Sequence, residues 1–146
     1  MTPPKRVGEL LVEKGMITPQ QLDSALEAQR TTHEFLGAVL VSQGSVSEED
    51  LLRALADQFG MPFTRLEAEA VDWEAAARLA RPFLLERRCF PLRMDAGGVT
   101  AAISNPLDAE TISEMEKEAG FHKVRWVLMP TADIVNAIQE LRRRAA

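Results

Sequence analysis

The sequence predicts an α+β protein in two parts. An all-helical module of two repeated helical hairpins occupies residues 1–62, and a small α-β-β-α-β-α module occupies residues 63–146. Three observations carry this. Residues 6–29 recur at 35–58 without a gap. Each copy has helical spacing on both sides of a glycine. Beyond Pro62 the pattern changes to short apolar runs broken by Gly-rich and Asn-Pro turns.

All matched pairs in the repeat stand 29 apart. Gly8/Gly37, Leu11/Leu40, Val12/Val41, Gly15/Gly44, Leu22/Leu51, Ala25/Ala54, Leu26/Leu55 and Gln29/Gln58 are identical, eight of 24 aligned positions. Each copy opens with a short apolar helix. Gly15 or Gly44 then suits the left-handed position that closes a helix. Three residues on, Thr18 or Ser47 is placed as an N-cap. Thr18-Pro19-Gln20-Gln21 forms a capping box with proline at the first helical position. Ser47-Glu48-Glu49-Asp50 is a weaker version, with acid where the helix dipole favours it. The second helix carries Leu22, Ala25, Leu26 and Gln29, or their partners, as a single i, i+3, i+4, i+7 stripe.

Two features of the repeat stand out. Gln29 and Gln58 lie in line with the leucines, where a buried amide must be hydrogen-bonded. They either cap or end their helices, or share a binding role. Gly8 and Gly37 fall near helix starts, where glycine costs about 1 kcal/mol relative to alanine. They indicate tight helix packing or close approach of a ligand to the backbone.

In the second module, Asp72 caps a short helix to about Leu79, and Arg81-Pro82 opens another through Arg87. Two strands, Cys89 to Met94 and Val99 to Ser104, flank the hairpin turn Asp95-Ala96-Gly97-Gly98. Asn105-Pro106-Leu107-Asp108 leads into a helix that Gly120 stops. Val124 to Met129 is a third strand. Thr131 caps a last helix ending in Arg142-Arg143-Arg144, cations suited to a helix C-terminus.

Composition narrows the function. The net charge of −5 is a poor field for nucleic acid. No run approaches the roughly 18 apolar residues of a membrane span, and the start of the chain does not read as a signal peptide. One cysteine excludes an internal disulfide and a cysteine-rich zinc site. These features favour the cytoplasm. No GxxxxGK[ST] phosphate loop is present, so the chain is not itself an ATPase. His33 and His122 are isolated, and Cys89 reads as a buried structural thiol. The acidic groups Glu48-Glu49-Asp50 and Glu114, Glu116, Glu118 read as solvated, with nothing to raise a carboxylate for acid–base work. Arg87-Arg88 and Arg142-Arg143-Arg144 read as ordinary surface charge, the alternative being phosphate patches. Trp73 and Trp126 read as packing residues, and Arg93, Thr100 and Arg125 as solvated strand positions. No catalytic or metal site and no required cofactor is expected.

The repeated pattern R-[LV]-G-x-x-L-x-x-x-G-x-x-x-x-x-x-L-x-x-x-L-x-x-Q, with the spacer Arg30 to Glu34, resembles the MshEN cyclic di-GMP-binding domain. That domain stands at the N-terminus of type II secretion and type IV pilus assembly ATPases of the GspE/PilB type. The likeness extends through Gly60-Met61-Pro62 and Ser104-Asn105-Pro106-Leu107-Asp108. It implies ligand contacts at Arg6, Val7, Gly8, Leu11, Gly15, Leu22, Leu26 and Gln29 in the first copy. In the second it implies Leu36, Gly37, Leu40, Gly44, Leu51, Leu55 and Gln58. A pseudo-twofold ligand with two guanines and two phosphates suits a duplicated motif. One departure breaks the symmetry: Phe35 stands where the first copy has Arg6. It either stacks on a base or packs in the core.

The resemblance implies a regulatory module that senses cyclic di-GMP and couples it to the ATPase domains of a parent protein. The rival expectation is a ligand-free docking module. Its partner would be the cytoplasmic domain of an inner-membrane secretion or pilus platform protein, which would hold the chain at that membrane's periphery.

Overall fold

The computed structural model describes residues 6–79, 89–120 and 123–145. The helix expected over 81–87, the pair Arg87-Arg88 and His122 lie outside the described residues. The chain divides into two compact units, Met1–Gly60 and Met61–Ala146.

The first unit is two helical hairpins: α1 (Val7–Glu13) with α2 (Pro19–Thr32), and α3 (Leu36–Ser42) with α4 (Glu48–Phe59). The repeat is one of backbone geometry as well as sequence. After α1 the Gly15 N–H donates to the Val12 carbonyl and the Met16 N–H to the Leu11 carbonyl, both at 3.0 Å. After α3 the same two bonds run from Gly44 to Val41 and from Ser45 to Leu40, again at 3.0 Å. These paired bonds satisfy the orphan carbonyls of each helix and require a left-handed residue. Gly15 and Gly44 both supply it at φ +74°. The capping box forms as expected: the Gln21 N–H donates to Thr18 Oγ1 at 3.1 Å, and the Thr18 N–H to Gln21 Oε1 at 2.8 Å. At the second copy Ser47 Oγ accepts from the Asp50 N–H at 3.1 Å.

The second unit is a mixed three-stranded sheet between helical layers. Strand β1 (Cys89–Asp95) pairs antiparallel with β2 (Gly98–Ile103), and β2 pairs parallel with β3 (Val124–Leu128). A 3₁₀ turn at Ala68–Ala70 and α5 (Trp73–Leu79) precede the sheet. Helix α6 (Ala109–Ala119) makes the parallel crossover, and α7 (Thr131–Ala145) ends the chain. One face of the sheet buries Phe90, Leu92 and Ala102 with Ala76 of α5 and Ile134, Ala137, Ile138 and Leu141 of α7. The other buries Cys89 and Ala101 under Met115 of α6. Full burial of a side chain such as Phe90 contributes about 1.5–3 kcal/mol, and the two-residue strand period serves both faces. Asp72 caps α5 through the Ala75 N–H, and Asp108 caps α6 through the Thr111 N–H, each at 3.1 Å.

The approach to the sheet depends on a contact between residues distant in sequence. Pro62–Thr64 runs alongside β3: the Leu128 N–H donates to the Pro62 carbonyl at 2.8 Å and the Thr64 N–H to the Leu128 carbonyl at 2.9 Å. Asp133 then anchors the segment. Its carboxylate accepts from Arg65 Nε at 2.7 Å and from the Leu66 N–H at 3.0 Å. The Arg65 hydrogen bond holds the Asp133 carboxyl below the ordinary carboxylate range, burial opposes this, and the Leu66 N–H adds to it. Such a group stabilises the fold above its unfolded pKa, about 4, and the benefit is lost as pH falls through the lower folded value. Asp133→Ala removes the acceptor of the Leu66 N–H and of the Arg65 ion pair. It is expected to lower stability by about 1–3 kcal/mol at pH 7, with a gap from the parent that narrows at pH 2–3. Urea unfolding at the two pH values measures both.

Candidate functional site

The fifteen residues that the resemblance assigns to a ligand separate by exposure. Val7, Gly8, Leu11, Gly37, Leu40, Leu51 and Leu55 are buried. Arg6, Gly15, Leu26 and Gly44 are exposed, while Leu22, Gln29, Leu36 and Gln58 are half-buried. Leu11, Leu40 and Leu55 have no accessible surface at all. In this conformation they form the frame of the unit, and the accessible surface comes from the other positions.

Close packing accounts for Gly8 and Gly37. A β-carbon on Gly8 would lie 2.4 Å from Leu22 Cδ1 and 3.2 Å from Leu36 Cδ2. One on Gly37 would lie 2.8 Å from both Leu51 Cδ2 and Phe35 Cε1. Each short helix thus rests on the first stripe leucine of its own hairpin, at the same station in both copies. Gly15 and Gly44 differ: nothing lies within 4 Å of a β-carbon there. Their backbone is open to solvent.

The two copies differ most at the stripe. Leu51 and Leu55 are 3% and 0% exposed, whereas Leu26 is 41% exposed and Leu22 half-buried. The first copy therefore offers apolar side chains to whatever arrives, and the second keeps them in the core. Arg6 and Phe35 occupy matching stations, the N-cap positions of α1 and α3, with φ/ψ of −67°/151° and −57°/132°. Arg6 is exposed, and the half-buried Phe35 ring lies against Gly37. Phe35 thus packs on its own helix.

Gln29 is engaged in the structure. Its Nε2 donates to the Glu34 carbonyl at 2.9 Å and ties the end of α2 to the start of α3. That is the helix-end role. Gln29 also lines a shallow hollow of about 330 Å³ with Arg30 and His33. His33 closes α2 in the left-handed region at φ 58°.

A larger open cleft, about 650 Å³, lies within the second unit and contains none of the fifteen residues. Val71, Leu92, Val127 and Met129 are among its apolar lining, and Arg65 and Arg93 contribute cations. Sequence reasoning missed it because its walls come from segments far apart in the chain, and Arg65 on one of them is held by an ion pair between residues 68 apart in sequence. No local pattern signals such a pair.

Several of the remaining candidates have structural partners. Arg143 and Arg144 both bind Glu140, and Arg144 stacks 4.5 Å over the Trp73 ring. Trp73 also meets Phe90 edge-on at 6.1 Å. Of the strand positions expected to be solvated, Arg125 is exposed and donates to Asp95 at 2.9 Å, whereas Thr100 is buried. Among the described residues no group of three or more His, Cys, Asp or Glu is placed to hold a metal ion. None of the described helices is long and apolar enough to cross a membrane.

Comparison with known proteins adds the family. The MshEN domain matches residues 59–146. The chain belongs to the MshEN family. The matched stretch is the sheet-bearing unit with the end of α4, whereas the resemblance in sequence was carried mainly by the hairpins before it. Type IV pilus assembly ATPase PilB of Thermus thermophilus is 33% identical over 118 residues, covering 80% of this MshEN chain and 13% of that ATPase. Bacteriophage adsorption protein B of Escherichia coli is 29% identical over 140 residues, covering 94% of the chain and 18% of that protein. The chain thus spans less than a fifth of either relative, and the two relatives are different kinds of protein. The structure of MshE with cdg (cyclic di-GMP) superimposes at a TM-score of 0.83 and 30% identity, covering 94% of this chain and 99% of that one. The N-terminal domain of XpsE shares the fold at a TM-score of 0.71 and 19% identity, over 95% and 97% of the two chains.

Two outcomes follow from the packing. Alanine at Gly8 must displace the tips of two half-buried side chains, Leu22 and by less Leu36, and the gain in helix propensity, up to about 1 kcal/mol, offsets this. Gly8→Ala is therefore expected to be near neutral. Gly37→Ala must move the buried Leu51 and the Phe35 ring, and is expected to destabilise by about 1–3 kcal/mol. Equal effects in denaturant titrations would contradict the asymmetry of the two copies. Separately, burial pushes the Cys89 thiol up to about 12, so a thiol reagent at pH 8 should label it only after unfolding.

Proposed function

We propose that the duplicated helical unit binds cyclic di-GMP, and that the chain is a regulatory module passing this signal to a secretion or pilus motor ATPase. The supporting observation is the doubling of the backbone itself. The two copies share caps, left-handed glycines and helix-packing glycines at one spacing, in a chain that superimposes on ligand-bound MshE over nearly its whole length. A ligand with two guanines and two phosphates takes one half at each copy.

In this reading Arg6 meets a phosphate or a guanine edge through paired N–H donors. Leu22, Leu26 and Leu36 pack on base faces. The Gln29 and Gln58 amides meet base edges, and the open backbone at Gly15 and Gly44 admits close approach. The buried leucines hold these groups in place. Binding carried largely by apolar contact suits an acidic chain, net charge −5, that takes a dianion. The module itself performs no catalysis and requires no cofactor. Its partners are the ATPase domains of the parent protein and the cytoplasmic domain of an inner-membrane platform protein, which keep it in the cytoplasm beside that membrane.

The docking alternative draws on the same surface, because an exposed Leu26 seats a partner's apolar side chain as readily as a base. Isothermal titration separates the two. One-to-one binding of cyclic di-GMP with a Kd below about 1 μM is expected. Arg6→Ala should weaken it roughly 10- to 150-fold, the loss of one charge-assisted contact of about 1.5–3 kcal/mol. Gln29→Ala should weaken it as well. A folded sample that gives no heat at millimolar ligand would leave docking as the function.

A further inference from the structure

Arg6 and Phe35 are a pair in the repeat whose chemistry is opposed at matched geometry. Both are N-cap residues of the opening helix of their copy, and both have extended backbone within 20° of each other in φ and ψ. Their side chains leave the chain at equivalent stations, so each is the residue that its half of a pseudo-twofold ligand would meet there.

The two side chains read bases differently. A guanidinium presents parallel N–H donors that match the O6 and N7 acceptors of guanine. Adenine replaces one of these acceptors with an amino group, and the pairing fails. One such bidentate contact discriminates by roughly ten- to a hundredfold. Phenylalanine has neither donor nor acceptor. It offers only a ring, and every base has a π-face to set against it. The Phe35 ring is moreover held against Gly37 by packing.

Other groups of the second copy do not restore the distinction. Residues 35–58 contain a single cation, Arg53, which faces Glu49 one turn away at 3.9 Å. Gln58 is an amide, with donor and acceptor side by side, and turning it over suits either purine.

We infer that this chain reads guanine at one half-site only, through Arg6, and that the Phe35 half-site accepts either purine. The mixed cyclic dinucleotide of one GMP and one AMP is then a ligand equivalent to cyclic di-GMP, whereas cyclic di-AMP is not. The inference rests on the cyclic dinucleotide reading of the helical unit.

The test is titration of the intact chain with the three 3′,5′-linked ligands: cyclic di-GMP, the mixed cyclic GMP–AMP and cyclic di-AMP. The first two are expected within about threefold of each other and the third weaker by about tenfold or more. Phe35→Arg should restore a preference for cyclic di-GMP over the mixed ligand of about tenfold. Phe35→Leu, which keeps an apolar side chain at this half-buried position, should leave the first ratio unchanged. Cyclic di-GMP binding with the mixed ligand more than about tenfold weaker overturns the one-sided readout while leaving the binding function standing. An unchanged ratio in a folded Phe35→Arg protein overturns it too. Silence from all three ligands removes both.

Discussion

The helical unit depends on how closely its short helices approach the long ones. At Gly8 and Gly37 the backbone of α1 or α3 stands where a β-carbon would overlap a leucine of the following helix. Each contact sets the separation within its hairpin. The paired bonds at Gly15 and Gly44 then set the direction in which the chain turns into the long helix. Two glycines of opposite use therefore define each copy: one is chosen for the absence of a side chain, the other for its backbone torsion. Alanine at the first is a packing question, and at the second a conformational one.

On that shared frame the copies have diverged in what they expose. The second hairpin encloses Leu51 and Leu55, and the first leaves Leu26 largely open. Phe35 takes part in the same divergence. Its ring fills space beside Gly37 and adds apolar contact, whereas Arg6 stays in solvent. One copy is thus weighted toward stability and the other toward surface chemistry.

The second unit achieves its order by other means. Its sheet has helices on both faces, and the chain entering it is fixed by the Asp133 carboxylate, which serves a side-chain and a backbone donor together. Satisfying both is what permits a nearly buried aspartate. The family match falls mainly on this unit, while the proposed ligand falls on the other. Recognition of the family and location of the site therefore rest on different residues of one chain.

Local chemistry was legible in the sequence. The repeat shows as identities at a fixed spacing along the chain, and the Thr18 and Ser47 caps, the left-handed glycines and the order of helices and strands each depend on residues within a turn or two of one another. The α+β class follows from the same periodicities. Tertiary structure alone decided the rest. The stripe leucines of the two copies look alike in sequence, yet one pair is enclosed and the other is not, because burial is set by which helices pack over them. The neighbours that make Gly8 and Gly37 close-packing positions became visible only once the fold placed them. Arg65 and Asp133, 68 residues apart, meet only because β3 and α7 bring the chain back to its entry point. Where a property belongs to a side chain and its immediate backbone, the sequence determined it; where it depends on a partner reached through the fold, only the fold could.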